Sequence, residues 1–234
     1  GWGGRQPKRP RAGRRPADDV PRIPCLPLDV VLCPGELFGL NIFENRYGLM
    51  TEECLAEDIP IGIVLARQDQ PDDLVEYEPE AVGTAARIVK SEKVGDQYLL
   101  ETLGLVRFRI HKVYNDKPYQ EADVEWLEEE EGDPEMASRL AQAVLARIEA
   151  SGADVDWESN EARDPVAISH AIASTLPFDL PTKQRLLEAP DAQTRLPAAA
   201  EILHAGLRSP PRGLPPRPPG RGRRDPTPDP RTNR

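Results

Sequence analysis

The spacing of apolar residues changes once along this chain, near residues 128–134. Before that point they recur every second residue, and after it every third or fourth, so one half is written for strands and the other for helices. In the first half, residues 23–32 are apolar but carry Pro24 and Pro27, which reads as an edge or irregular first strand because proline cannot donate to a ladder. Pro34-Gly35 marks a turn, residues 37–43 a second strand, and residues 44–57 a short amphipathic helix with Tyr47, Met50, Cys54 and Leu55 on one face. Further strands are predicted over 61–66, 82–94, 98–114 and 119–127. Val94-Gly95-Asp96-Gln97 reads as a hairpin turn, and Gly104 as a bulge that bends a strand too long to run straight.

In the second half, Asp133-Pro134 is a helix-start signal, followed by Met136, Leu140, Val144 and Ile148 along one face. Asp164-Pro165 repeats the signal before Val166, Ile168, Ile172 and Leu176, and Pro177 stops that helix. Residues 181–188 and 191–207 predict two more helices. Pro197 interrupts the last one, where a lost hydrogen bond costs about 3 kcal/mol, so a kink or a late start is expected. The acidic run 128–133 reads as a linker held in solvent by like-charge repulsion. The fold class is therefore α+β, a small curled sheet followed by a small helical bundle.

Charge separates the ends from the middle. Residues 1–22 hold seven Lys/Arg against two acids and residues 208–234 hold eight against two, whereas residues 23–207 hold 15 against 36, a net of −21. Both ends are rich in Gly, Pro and Arg and poor in apolar side chains, so they are expected to be disordered basic tails. Lys8-Arg9-Pro10-Arg11 has the composition of a nucleic-acid arm, and Pro215-Pro216-Arg217-Pro218-Pro219 suits a polyproline II ligand, but both read better as solvated, compositionally biased tail. The acidic middle would repel phosphate, which argues against nucleic acid as a partner. No apolar stretch has the length of a signal peptide or a membrane span, and Cys25, Cys33 and Cys54 lack CxxC spacing, so a soluble cytoplasmic protein without disulfides is expected. Cys25 and Cys33 could meet across a strand pair, although small buried hydrophobes are the commoner fate of such residues.

The common catalytic signatures lack their starting residues. No Gly-Lys pair exists to build a P-loop, and no Gly-x-Ser-x-Gly, Ser-x-x-Lys or His-Glu-x-x-His occurs. His111, His170 and His204 lie in separate predicted elements with no Cys/His cluster around them, so no metal and no cofactor is expected. The paired carboxylates Glu52-Glu53, Asp72-Asp73 and those at 128–131 read as solvating surface.

Three stretches, Leu26-Pro27-Leu28, Val31-Leu32-Cys33-Pro34-Gly35 and Leu40-Asn41-Ile42-Phe43-Glu44-Asn45-Arg46-Tyr47, resemble in order and spacing the opening of the Lon protease N-terminal, substrate-binding domain family. The resemblance continues through Val82-Gly83-Thr84, Gly104, Arg107-Phe108, Leu176-Pro177, Lys183-Gln184 and Leu186-Leu187-Glu188, about four-fifths of the chain. Cys33 departs from it, standing where a larger apolar residue is usual. The resemblance implies a PUA-like β pseudo-barrel over 23–130 and a helical bundle over 131–207, an arrangement shared with cereblon. It implies a free-standing protein-binding module for unfolded or degron-bearing polypeptides in protein quality control, acting beside a separate ATP-dependent protease and carrying no ATPase or peptidase of its own. The alternative is RNA binding, known for PUA-like barrels of other families. Leu26, Pro27, Leu28, Pro34, Gly35, Phe43, Glu44, Arg46, Tyr47, Gly83, Arg107 and Phe108 are read as scaffold, with Phe43 and Tyr47 filling a small core and Glu44 pairing with Arg46 in a partly buried setting; no catalytic residue is assigned.

Overall fold

The structure, a computed structural model, describes residues 20–67, 79–130, 132–152 and 164–208. The tails expected over 1–22 and 208–234 lie outside the described residues except at 20–22 and 208, as does the Asp72-Asp73 pair. Six strands, β1 (Arg22–Leu28), β2 (Leu37–Ile42), β3 (Ile61–Leu65), β4 (Val82–Val94), β5 (Gln97–Tyr114) and β6 (Glu121–Leu127), form one mixed sheet in the order β2-β5-β4-β3-β1-β6. β5 pairs again with β6, which closes a pseudo-barrel. The same long strand thus serves two partners along one edge, with residues 98–103 on β2 and residues 107–114 on β6.

β1 is not at an edge: it runs parallel to β3 and antiparallel to β6. Its prolines are tolerated because the two ladders are staggered, β6 taking Arg22 to Pro24 and β3 taking Cys25 to Leu28. Odd-numbered residues face β6, as the Cys25 N–H shows by donating to the Gln120 carbonyl at 2.8 Å. The Pro27 nitrogen therefore points past the end of β6, and that of Pro24 points toward β3 just ahead of its first pair, so no ladder bond is lost.

β3 is buried along its whole length and β1 along most of its own. Their alternating side chains feed two cores. Ile23, Cys25 and Val64 pack inside the closed ring with Phe108, Ala122 and Val124. Leu26, Ile61 and Ile63 point the other way, onto Leu40, Ile42, Tyr98 and Leu100 of the β2–β5 arm and onto Met50 and Cys54 of helix α1 (Asn45–Glu57). Leu55, expected on the buried face of α1, is exposed, and Thr51 takes the place, with its hydroxyl donating to the Tyr47 carbonyl at 2.8 Å.

Glycines set the bends. Cys33-Pro34-Gly35-Glu36 closes with a Glu36 N–H to Cys33 carbonyl bond of 3.1 Å and Gly35 at φ 82°, as a Pro-Gly type II turn requires. The predicted bulge is present beside Gly104: Ala85 pairs with Val106 but Ala86 with Gly104, leaving Leu105 as the extra residue. A Cβ on Gly104 would collide with the Cys33 carbonyl, so the turn reaches the arm only over a glycine.

The bundle consists of α2 (Pro134–Ala150), α3 (Pro165–Thr175), α4 (Leu180–Glu188) and α5 (Ala192–Arg208). Each begins on an aspartate whose carboxylate accepts an otherwise orphaned first-turn N–H: Asp133 from Glu135, Asp164 from Val166, Asp179 from Thr182 and Asp191 from Thr194. The buried face of α2 is Ala137, Ala141, Val144 and Ile148, about one position round from the expected stripe, and Met136 is 44% exposed. Small alanines let α2 approach its neighbours closely. α5 takes no late start, since it begins at Ala192 and runs through Pro197. Val31, Leu32 and Cys33 thread between the two halves, each entering a different core: Val31 beside Leu187, Leu32 in the arm and Cys33 among the helices.

Candidate functional site

The motif residues separate into buried and exposed groups. Leu26 is buried, Pro27 and Leu28 are half-buried, and Pro34 and Gly35 form the turn. Phe108 is fully buried, and its ring end sits where a Cβ on Gly83 or Gly62 would lie, at 2.8 and 3.0 Å. Phe43 does not fill a core. It is 66% exposed, because Leu40 and Ile42 take the inward positions of β2 and Phe43, of opposite parity, faces out. Tyr47 is half-buried against the arm core, with the Arg46 guanidinium 4.6 Å from its ring centroid. The Glu44–Arg46 pair forms at 2.9 Å, with Arg46 half-buried and Glu44 exposed. Arg46→Ala is accordingly expected to cost under about 1 kcal/mol, read as a small shift in thermal melting.

Arg107 leads to a feature that the sequence pattern hides. Its guanidinium, nearly all buried, donates to the Leu187 and Ala189 carbonyls at 2.8 and 2.7 Å and lies 3.4 Å from Glu129. Arg195 of α5, with no exposure at all, donates to the Leu186 and Ala189 carbonyls at 2.9 and 2.7 Å, to Ser169 Oγ at 2.8 Å and to Glu129 Oε1 at 2.9 Å. Two cations from opposite halves of the molecule thus cap the last carbonyls of α4 and share one carboxylate. Glu129 is the correction to the solvated linker: it sits at the joint with three cationic or imidazole partners. Burial pushes its carboxyl up, yet the hydrogen bond from His170 and the nearby Arg195 together hold it below the usual carboxylate range.

Ser169, His170 and Glu129 have the residue types of a hydrolase triad but not its geometry. The Ser169 hydroxyl donates to the Val166 carbonyl at 2.7 Å and accepts from Arg195, so its proton does not face the imidazole. His170 spends Nε2 on Glu129 at 2.9 Å, and Nδ1 has no partner among the described residues. Burial lowers the His170 pKa, opposed by that bond to Glu129. The unfolded chain takes up this proton near pH 6.5 and the folded chain only at lower pH. Stability is thus full above about pH 6.5 and is lost as pH falls toward the folded value, and the melting temperature should be lower at pH 5.5 than at pH 7.5. His170→Gln, which keeps a donor to Glu129, should shrink that difference in paired thermal melts.

The three thiols offer no nucleophile. Cys25, Cys33 and Cys54 are free and buried in three different cores, and burial pushes each thiol up to about 12. Among the described residues no group of three His, Cys, Asp or Glu could hold a metal ion, and no helix is long and apolar enough to cross a membrane. What remains is surface. A groove of about 590 Å³ lies among the helices, lined by Ile148, Phe178, Ile202 and Leu203 among others. A second hollow of about 430 Å³ lies on the outer face of the arm, where Gly39 leaves a gap among Leu37, Leu99, Lys90, Glu92 and Glu101. Leu37, Phe43, Leu49 and Leu99 are all exposed on the arm or the adjoining helix. Sequence reasoning could not select these, since outward and inward apolar residues alternate in one strand with no local mark of which is which.

A family model described as the ATP-dependent protease La (LON) substrate-binding domain matches residues 22–205. Lon protease 2 of Myxococcus xanthus is 27% identical over 198 residues, which cover 80% of this chain and 24% of that protein. Lon protease 2 of Bdellovibrio bacteriovorus is 30% identical over 206 residues, with 81% and 25% covered. The chain spans about a quarter of the length of the curated relatives it matches. Among solved structures, the Lon N-terminal domain protein from Xanthomonas campestris superposes with a TM-score of 0.59 at 26% identity, covering 80% of this chain and 98% of that one. The N-terminal domain of Mycobacterium avium complex Lon protease, at 17% identity and a TM-score of 0.58, shares the fold. The chain belongs to the Lon protease substrate-binding domain family.

Proposed function

We propose that this chain captures unfolded or degron-bearing polypeptides in cytoplasmic protein quality control and hands them to a separate ATP-dependent protease, without hydrolysing ATP or peptide bonds itself. The match of residues 22–205 to the substrate-binding domain family carries the reading. The exposed apolar side chains of the arm supply the kind of surface that unfolded segments need. The net −21 over residues 23–207 favours polypeptide over nucleic acid.

The test is fluorescence anisotropy with ribonuclease A that has been reduced and capped with iodoacetamide, against the native enzyme. Binding of the unfolded form at least about tenfold tighter than the native form is expected. Equal binding of the two, or a lysate pull-down whose partners vanish on RNase treatment, would overturn the reading.

A further inference from the structure

β2 is the terminal strand of the sheet, since β6 at the other end is covered by β5. Bonding between β2 and β5 uses the even-numbered residues, as the neighbouring Gly104 N–H to Glu36 carbonyl bond of 2.9 Å fixes, so Leu37, Gly39 and Asn41 turn their N–H and C=O groups outward. Among the described residues no backbone group bonds to them there. A free edge is ordinarily guarded by charge or proline. The part of β4 beyond its β3 ladder is guarded in that way, with Arg87, Lys90, Glu92 and Lys93 in a short span. β2, Leu-Phe-Gly-Leu-Asn-Ile, carries neither.

We propose that an extended polypeptide docks on this edge by strand addition, as a segment that alternates apolar residues with Lys or Arg; this deepens the substrate-binding reading above and rests on it. Backbone complementarity sets the extended form, because only a strand supplies alternating N–H and C=O groups at ladder spacing. Charge sets the composition. Gly39 stands opposite Glu101 in the register, and Glu101 makes no ion pair among the described residues. A strand beside β2 lies about 10 Å from β5, two ladder spacings, with no side chain at Gly39 in between. A lysine or arginine can cross that gap to Glu101, whereas an acidic side chain would meet Glu101 and, one pair along, Glu92; Lys90, opposite Glu101 on β4, offsets one of these charges and leaves the hollow net negative. The proline-rich segment 209–234 is a poor occupant, because proline cannot donate to the ladder.

The test uses the full chain and a labelled nonapeptide alternating valine and lysine, its valine–glutamate counterpart, and the valine–lysine peptide with its five central backbone nitrogens methylated. The lysine peptide should bind about tenfold or more tighter than either control. On saturation, slowed hydrogen exchange should centre on the Leu37, Gly39 and Asn41 amides. Gly39→Pro removes an outward N–H that the fold does not use, and should lose about tenfold in affinity with melting unchanged within about 3 °C. Should that variant fail to fold, Glu101→Gln, on the exposed face, should still reduce the preference for lysine over glutamate. Undiminished binding of the methylated peptide overturns the proposal, as does protection centred on the helical groove. Protection of the same amides in peptide-free protein that dimerises would give the edge to a second copy and also overturns it. Unfolded ribonuclease that binds wild type and Gly39→Pro equally sinks strand addition while leaving substrate binding standing. Ribonuclease that binds neither sinks substrate binding itself.

Discussion

Arg195→Ala should destabilise the protein by about 3–5 kcal/mol, because it removes a fully buried cation from four acceptors at once. At this chain length each kcal/mol moves melting by roughly 2–4 °C, so a fall of about 10–15 °C is expected by calorimetry or circular dichroism. The loss comes mainly from what is left behind: the Leu186 carbonyl at the end of α4, half of the Glu129 pairing and a hole the size of a guanidinium. Arg195→Lys should recover little, since one ammonium cannot span acceptors that lie along and across the fork of an arginine. Glu129→Gln leaves Arg107 and Arg195 facing one another without their shared anion and should also destabilise. Combined with Arg195→Met, it should cost less than the sum of the single changes, because each change removes the partner stranded by the other. A loss under about 1 kcal/mol for Arg195→Ala would show that water reaches the joint and satisfies the acceptors that Arg195 leaves.

The joint also marks where the sequence stopped being legible. Elements with a strong local period and chemical punctuation were read well. β4 has the limits expected from its alternation, the bulge falls at Gly104, and helices start at Asp133 and Asp164, where an aspartate precedes a proline. Two of the failures involve partners far away in sequence. β1 looked like an edge because proline signals a missing donor, and only the stagger of β3 and β6 shows which side of the strand lacks one. Glu129 looked like one of a run of solvated acids, since the residues that bury it are 22, 41 and 66 positions distant, at Arg107, His170 and Arg195. One usable signal is present in the sequence. Arg195 stands between Ala192, Leu196 and Ala199 on the apolar stripe of α5, and a cation on such a stripe must find an anion or a set of carbonyls. Phe43 and Leu55 failed for the opposite reason, as apolar residues assigned inward although they face solvent. If the chain binds other polypeptides as proposed, outward apolar residues are where a rule built on burial is expected to break.

Phe108→Ala is the other change with a large expected effect, about 3–5 kcal/mol, and it tests how Gly83, Arg107 and Phe108 depend on one another. Gly83 and Phe108 are paired across β4 and β5, and the ring reaches over the glycine into the closed half of the barrel, packing edge-on to Trp126 with centroids 6.5 Å apart. Its next residue back along β5, Arg107, points to the opposite face and into the joint. One strand therefore anchors the ring core with one side chain and the helical bundle with the next. Removing the phenyl ring opens a cavity bounded by Ile23, Val64 and Val124, and the melting temperature should fall by roughly 10–15 °C. Gly83→Ala reaches the same place from the other direction, since its Cβ would collide with Val64 Cγ1 and meet the Ile63 carbonyl at 2.6 Å and the Phe108 ring at 2.8 Å. The double variant separates the ring from the two obstacles on β3. If the ring is what excludes a side chain at Gly83, Phe108→Ala and Gly83→Ala together should cost clearly less than their sum. A strictly additive result would place the obstacle in β3 instead, at the Val64 side chain and the Ile63 carbonyl. The ring core is small, so β3 and the aromatic share the restriction. A coupling of about 1–2 kcal/mol is expected, with the remainder persisting as strain against Val64 and Ile63.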